Sequence, residues 1–101
     1  MIYLTQLIYL NQGQESPFDR FEEVAMPAIK KYHGQLLLRV RPGEDAFIAG
    51  SIDRPYEIHL VSFEKEQDFQ NFQQDPDRQT YLHLKEQSVK NTFLVKGTRL
   101  G

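Results

Sequence analysis

The order of the predicted secondary structure is the feature that most constrains what this chain can fold into. Residues 16–34 and 68–88 have apolar residues at helical spacing, and each segment lies between stretches rich in strand-forming residues. The predicted order is therefore strand, helix, strand, strand, helix, strand, which accounts for the whole chain. Such an order predicts one sheet with both helical segments packed on the same face.

Four strands are predicted by runs of aliphatic, aromatic and β-branched residues, at positions 2–10, 34–41, 56–63 and 89–96. The first run is apolar on both faces, which is typical of a central strand. Residues 42–54 contain Pro-Gly and Ala-Gly pairs and predict a loop. The predicted fold is therefore α+β: a four-stranded antiparallel sheet of ferredoxin-like βαββαβ topology, forming a single domain over residues 1–101.

Local signals predict where the helical segments begin and end. Ser16-Pro17 has the sequence of an N-cap followed by proline, and Asp75-Pro76 repeats this signal in the second segment. A proline inside a helix costs about 3 kcal/mol, so Pro27 predicts a kink or a boundary. Gly34 is predicted to be the left-handed residue that ends the first helix.

Composition and charge exclude several classes of protein. With 12 basic and 14 acidic residues, the net charge is -2 and no strongly basic patch exists, so nucleic acid is not an expected partner. Cysteine is absent, which excludes disulfides, thiolate metal sites and a cysteine nucleophile. The amino-terminal apolar run is shorter than the ~20 residues that span a bilayer and follows no positive leader. We therefore expect a cytoplasmic protein with no membrane partner.

One face of the predicted sheet has no cover, because both helical segments lie on the other face. One alternating set is taken to face the helices: Leu36, Leu38, Val40, Ile58 and Leu60. Strand alternation then assigns a mixed set to the bare face: Leu37, Arg39, Arg41, Glu57, His59, Val61 and Phe63, with Tyr3 and Tyr9. At about 25 cal/mol per Å² of apolar surface, leaving this face in water forfeits several kcal/mol. We therefore expect a homodimer that buries it and encloses a barrel-like space.

Parts of the chain resemble small dimeric α/β-barrel domains, in particular a branch of small bacterial domains of unknown function. The resemblance rests on residues 27–39, on Val61-Ser62-Phe63-Glu64, and on 75–79 with Phe72 before them. It covers most of the chain and implies a homodimer. In that branch an arginine often stands where Arg39 stands. More distant relatives include cofactor-independent monooxygenases, muconolactone-isomerase-type enzymes and haem-degrading members, and the resemblance permits these activities without choosing among them.

His59 is the strongest candidate for acid–base chemistry, since histidine titrates near neutral pH. A spacing of two places Glu57 on the same side of the strand, where its carboxylate could orient the imidazole. The alternative is a polar pair at a dimer contact. His33 and His83 are interpreted as capping or surface residues. The separations of the three histidines match no metal motif, and no glycine-rich phosphate loop is present, so neither a metal nor a cofactor is expected.

Arg39 has two possible roles. It could pair with Glu57 across neighbouring strands, which is the favoured interpretation, or bind a carboxylate or phosphate of a ligand. Tyr3 and Tyr9 could line a ligand cavity, although aromatic residues in strands are usually packing residues.

These candidates support competing functions. The first is a homodimer that binds a small, partly apolar ligand, either between sheet and helices or in the barrel between two sheets. The second is a cofactor-independent monooxygenase- or isomerase-like enzyme that uses His59 as a base and Arg39 as an anion clamp. The third is a purely structural dimerisation module. Ligand binding is favoured because no catalytic motif stands out.

Overall fold

The computed structural model describes all residues from Met1 to Gly101. Its four strands form one antiparallel sheet in the order β2-β3-β1-β4: β1 (Ile2–Leu10), β2 (Gly34–Val40), β3 (Glu57–Phe63) and β4 (Val89–Gly97). The helices are α1 (Glu15–Ala28), α2 (Glu66–Gln73), α3 (Pro76–Thr80) and α4 (Leu82–Ser88). The predicted element order and the central position of β1 are confirmed. No helix combines the length and apolar composition needed to cross a membrane.

The core lies between the helices and one face of the two central strands. Leu4 of β1 and Phe63 of β3 are buried there against Ile29. The rings of Phe69 and Phe72 pack on Phe63, with centroid distances of 5.6 and 5.5 Å. Burying one such aromatic side chain stabilises a fold by roughly 1.5–3 kcal/mol, so this cluster fixes which face of the sheet the helices cover.

Pro27 marks the end of α1, as predicted. The α-helix stops at Ala28, and the chain continues as a single 3₁₀ turn over Ile29–Tyr32. The predicted N-cap is wrong: α1 begins one residue before Ser16, and Gln14 occupies the cap position without a side-chain hydrogen bond.

Gly34 has a different role from the predicted one. The left-handed residue is His33, with φ 59°, and Gly34 is already the first residue of β2. A Cβ atom on Gly34 would lie 2.6 Å from Phe63 Cε1 and 2.7 Å from Ile29 Cγ2. Glycine is therefore required here because the strand passes close to the core, rather than because of its backbone freedom.

A β-bulge in β2 changes which residues share a face. Leu36 lies opposite Val61, but Leu38 lies opposite Leu60, so Leu37 is an extra residue without a partner in β3. Before the bulge, Leu36 shares the helix-covered face with Val61. After it, Leu38 lies on the other face, contrary to the simple alternation that the sequence suggested.

The predicted faces of β3 are also reversed. Glu57, His59 and Phe63 lie on the helix-covered face, whereas Ile58 and Leu60 lie on the opposite one. Alternation along β3 could not decide between the faces, because both carry large apolar residues. Pairing with β1 decides between the two faces. It places Phe63 in the aromatic cluster, and alternation then fixes the face of every other residue of β3.

The uncovered side of the sheet, which we call the open face, carries no charged side chain among its paired residues. Its members are Tyr3, Thr5, Leu7, Tyr9, Gln35, Leu38, Val40, Ile58, Leu60, Ser62, Asn91, Phe93 and Val95. Among the most exposed are Leu38, Phe93 and Val95, at 45%, 50% and 62%. The prediction of a bare, largely apolar face is confirmed, but the ionisable groups expected on it lie on the other side.

Candidate functional site

A cavity of about 190 Å³ lies between the helix-covered face of the sheet and the helices. Most of its lining is apolar, including Phe18, Phe21, Met26, Ile29, Phe63, Phe69 and Phe72. An apolar cavity of about 150 Å³ in another protein holds benzene. The volume here therefore suits a molecule of about one ring.

Four ionisable side chains interrupt this apolar lining, and each comes from a different element. They are Glu22 of α1, His59 of β3, Arg78 of α3 and Lys85 of α4. Buried polar groups in proteins are nearly always hydrogen-bonded within the chain or to water. In this cavity, each of the four has at least one polar atom without a partner in the chain.

Glu22 is 6% exposed, and its carboxyl group makes no hydrogen bond or ion pair within the chain. Burial raises the pKa of Glu22 to about 7, although the positive charges of Arg39, Lys85 and Arg78 act in the opposite direction. Near neutral pH the group therefore exchanges between a neutral acid, which can donate a hydrogen bond, and a carboxylate, which can only accept.

Arg78 is held in place from several sides. Asp75 accepts a hydrogen bond from the Arg78 backbone N–H at 2.9 Å, which confirms the predicted Asp75-Pro76 helix start. The guanidinium lies over the rings of Phe21 and Phe72, at 5.5 and 5.3 Å from their centroids. Its Nη1 donates to the Gln73 carbonyl at 3.2 Å, while the buried Nε has no partner.

Lys85 and Arg78 lie where the cavity meets the surface. A shallow groove formed by α3, α4 and β4 shares several lining residues with the cavity: Gln73, Arg78, Lys85, Val89 and Thr92. Burial lowers the pKa of Lys85, and the nearby charge of Arg78 lowers it further. The lining also contains Phe18 and Phe63, which are almost completely buried, so the cavity has a basic mouth and a largely aromatic wall.

His59 is oriented by Glu57. Its Nε2 lies 2.7 Å from Glu57 Oε1, and both side chains are buried. Burial lowers the pKa of His59, although the hydrogen bond to Glu57 opposes this effect. The imidazole is therefore neutral at pH 7, with its proton on Nε2 facing the carboxylate. This leaves Nδ1 as an unprotonated nitrogen that accepts no hydrogen bond in the chain.

Glu57 is the centre of a charge network at the edge of the cavity. Arg39 donates to it from Nε at 2.8 Å and from Nη2 at 3.0 Å, and Arg41 donates from Nε. Arg41 also donates to Asp19 of α1 at 2.6 Å. Burial alone would raise the pKa of Glu57, but hydrogen bonds from Arg39, His59 and Arg41 outweigh it and lower the pKa to about 2. The carboxylate therefore stays ionised at neutral pH.

The structure separates the residues that the sequence proposed as one site. Arg39, Glu57 and His59 form a single network, and the suggested pairing of Arg39 with Glu57 is present. This network lies on the helix-covered face, not on the bare face as predicted, and only His59 lines the cavity. Tyr3 and Tyr9 lie on the open face, where the Tyr9 hydroxyl donates to a backbone carbonyl of the β2–β3 loop at 2.7 Å.

Sequence reasoning missed three of the four ionisable residues in the cavity. Glu22 had a usable signal, since it follows Phe18 by four residues and precedes Ala25 by three, which puts a carboxylate in the apolar stripe of α1. Arg78 and Lys85 had none. They lie on helices of five and seven residues, too short for periodicity to define a buried face.

The other two histidines lie outside the cavity. His33 Nδ1 lies 3.1 Å from Asp68 Oδ1, and Asp68 also caps α2 by accepting from the Lys65 backbone N–H at 3.1 Å. With Glu64, these side chains form the only group of three whose potential metal-ligand atoms lie within 4.8 Å of one another. The cap accounts for the position of Asp68, and His33 and Glu64 are exposed. His83 is exposed on α4.

No family model and no curated protein matches this sequence. Solved structures do match. A protein of unknown function from Rhodopseudomonas palustris has a TM-score of 0.83 and 11% identity, covering 99% of this chain and 82% of that chain. A candidate antibiotic biosynthesis monooxygenase from Nitrosomonas europaea has a TM-score of 0.75 and 8% identity over 100% of both chains. A dabb family protein from Mesorhizobium loti, described as having a ferredoxin-like fold, has a TM-score of 0.67 and 16% identity, covering 99% of this chain and 97% of that chain. At these identities the likeness concerns the fold, and this chain therefore has the ferredoxin-like α+β fold that its sequence predicts.

Proposed function

We propose that this protein binds a small, partly apolar molecule in the cavity between its sheet and its helices. The observation that carries the proposal is the convergence of Glu22, His59, Arg78 and Lys85 on one aromatic cavity, in which the buried Nε of Arg78 has no partner. Ligand sites typically combine an apolar lining with a few convergent polar groups and perturbed pKa values.

The cost of this arrangement supports a ligand rather than a structural role. An unsatisfied buried polar group costs roughly 1–3 kcal/mol, and charged groups cost more. Net domain stability is typically only about 5–15 kcal/mol. The buried Nε of Arg78 carries this cost, and the polar atoms of Glu22, His59 and Lys85 that have no partner in the chain line the same space. A bound molecule that supplies their hydrogen bonds explains the arrangement best.

A thermal-shift screen of single-ring organic acids, alcohols and neutral aromatic compounds tests this proposal. A ligand present at 100 times its Kd stabilises the folded state by about 2.7 kcal/mol, which raises the Tm of a domain of this size by several degrees. We expect Ala25→Leu, which adds bulk to the cavity lining, to reduce that shift. Val24→Leu, on the neighbouring position outside the cavity, is expected to leave it unchanged. The absence of any Tm shift at millimolar concentrations of all compounds would contradict the proposal.

A second candidate function is cofactor-independent proton transfer, as in an isomerase or in the first step of a cofactor-independent monooxygenase. It is favoured by the free Nδ1 of His59, a potential base whose orientation is fixed by Glu57, in the same cavity as the Glu22 acid. The fold shared with the candidate monooxygenase is compatible with it. Arg39 binds Glu57 and does not line the cavity, so this version of the hypothesis assigns Arg39 a positioning role.

Proton exchange at carbon tests this second candidate. In D₂O, the protein is expected to accelerate exchange of the C–H protons next to the carbonyl of a single-ring ketone or keto acid, measured by NMR. His59→Gln keeps a donor toward Glu57 but removes the base, so a loss of about 100-fold or more is expected. His83→Gln is the matched surface control. Exchange that is absent with the unmodified protein, or undiminished in His59→Gln, argues against catalysis.

We further propose that the protein is a homodimer formed through the open face. Soluble monomers rarely expose contiguous apolar patches larger than a few hundred Å². The open face is a continuous sheet surface with large apolar residues on all four strands and no charged side chain among its paired residues. A second copy of the same surface matches it in chemistry, and a two-fold arrangement pairs the same patch on both copies.

A further inference from the structure

We propose that the ligand of this cavity is a carboxylate: an organic acid with a body of about one ring, whose carboxylate group binds Arg78 and Lys85 at the mouth. This inference rests on the proposed function and adds to it the chemical class of the ligand. Three features of the structure carry it. They are a free edge on a buried guanidinium, two neighbouring cations that form no salt bridge, and the position of these cations where the cavity meets the surface.

The guanidinium of Arg78 has one edge free. Arg78 is 9% exposed, and its single side-chain hydrogen bond runs from Nη1 to the Gln73 carbonyl. Nε is buried without a partner, and Nη2 donates to no group in the chain. Nε and Nη2 together form the edge that binds a carboxylate with two parallel hydrogen bonds. The packing of the guanidinium between Phe21 and Phe72 holds that edge in a fixed position.

The cationic groups at the mouth form no salt bridge, and the carboxyl groups that act on them, Glu22, Asp75 and Glu86, do so from longer range. Neither Arg78 nor Lys85 forms a salt bridge, since Asp75 bonds to the backbone of Arg78 and not to its guanidinium. Glu22 is the only carboxyl group in the cavity lining, and it is neutral in a large fraction of molecules near neutral pH. A buried cation without a partner is costly. A bound anion would supply the missing charge.

The shape of the cavity indicates how such a ligand would lie. The two cations stand where the cavity meets the surface groove, Phe21 and Phe72 flank Arg78 there, and Phe18 and Phe63 of the lining are almost completely buried. An apolar body would therefore enter first, and the carboxylate would remain at the mouth. A carboxylate offers two oxygens in one plane, which match the Arg78 edge, whereas a phosphate brings a second negative charge toward Glu22.

Calorimetric titration with benzoate and with benzyl alcohol, a neutral molecule of nearly the same size, tests the inference. We expect benzoate to bind the unmodified protein about tenfold or more tightly than benzyl alcohol. Arg78→Gln is expected to weaken benzoate about tenfold or more and to leave benzyl alcohol within about twofold. Arg78→Lys keeps the charge but removes the fixed edge, so an intermediate loss is expected. Arg20→Gln, an exposed arginine on α1, is the charge-matched control.

The outcomes separate this inference from the proposed function. If benzyl alcohol binds as tightly as benzoate, or if Arg78→Gln and Arg20→Gln behave alike, the carboxylate inference is wrong while ligand binding stands. If neither compound nor any relative in the thermal-shift screen binds, the proposed function fails and the inference fails with it. The comparison of the two compounds on the unmodified protein remains informative even if Arg78→Gln does not fold.

The pH dependence of benzoate binding gives an independent measurement. Ionised Glu22 would repel a bound carboxylate, so benzoate affinity is expected to fall by several-fold as the pH rises from 6 to 8.5, with proton uptake on binding. Glu22→Gln should remove this dependence, and Glu23→Gln, its exposed neighbour, should preserve it. Affinity that is independent of pH in the unmodified protein would contradict the inference. The charged groups that act on Glu22 are Arg39 of β2, Glu57 of β3, Arg78 of α3 and Lys85 of α4, and the titratable His59 of β3 lines the same cavity.

Discussion

Replacing Glu57 with glutamine is expected to destabilise the protein by about 3 kcal/mol at pH 7, because removing one partner of a buried ion pair costs roughly 3–5 kcal/mol. The carboxylate is completely buried and accepts hydrogen bonds from Arg39, Arg41 and His59. A glutamine keeps one carbonyl oxygen that can accept a hydrogen bond, but its amide NH₂ would face the N–H donors of these neighbours. The expected loss is at the lower end of that range because Arg39 and Arg41 are partly exposed and can turn toward water.

Urea unfolding measures this loss, and its pH dependence provides a second check. The pKa of Glu57 lies at about 2 in the folded protein, below the ordinary value of 4.5. Its stabilising contribution is therefore fully present above pH 4.5 and disappears as the pH falls toward 2. The difference between the unmodified protein and Glu57→Gln should shrink over that interval. Glu44→Gln, in the exposed β2–β3 loop, should not change the unfolding midpoint. If Glu57→Gln and Glu44→Gln unfolded at the same urea concentration, the charge network around Glu57 would not stabilise the fold.

Replacing Val95 with glutamate is expected to convert the proposed homodimer to a monomer. Val95 is 62% exposed on the open face, so the fold of the single chain should tolerate the change. In a face-to-face dimer, however, two carboxylates would be buried without partners. An uncompensated buried charge costs roughly 3 kcal/mol or more, which corresponds to about a 100-fold weaker association.

Sedimentation velocity across a range of concentrations distinguishes the two states. The unmodified protein should sediment with twice the chain mass of 11.9 kDa, and Val95→Glu should shift toward a single chain at micromolar concentration. Gln70→Glu introduces the same charge at an exposed position on α2 and should leave the dimer intact, since α2 lies on the other side of the sheet. A single-chain mass for the unmodified protein would contradict the proposed dimer.

Predictions that depend on neighbouring residues in the sequence were mostly confirmed. Pro27 ends α1 and Asp75-Pro76 begins α3, because a missing N–H and a capping carboxylate act within one turn of the helix. The apolar run of β1 correctly identified it as a central strand, since a strand with apolar side chains on both faces is typical of the middle of a sheet. Ser16 and Gly34 failed as end signals. At Gly34 the approach of Phe63 explains the glycine, whereas α1 simply begins one residue before Ser16.

The candidate site could be predicted only in part. The Arg39–Glu57–His59 network follows from cross-strand neighbours and was anticipated, although on the wrong face. The cavity groups Arg78 and Lys85 could not be anticipated, because short helices turn according to their contacts rather than their own periodicity.

The sequence by itself determined the order of the elements, the central strand and the existence of an uncovered apolar face, because these depend on local propensity and on how many helices the chain encodes. Only the tertiary structure decided which side of β3 meets the helices. Both sides of that strand are apolar enough to be buried, and the choice depends on the pairing of β1 with β3 around Phe63. The bulge at Leu37 then determined which residues of β2 share the open face. That choice brought His59 into the cavity beside Glu22 and left the open face without charge.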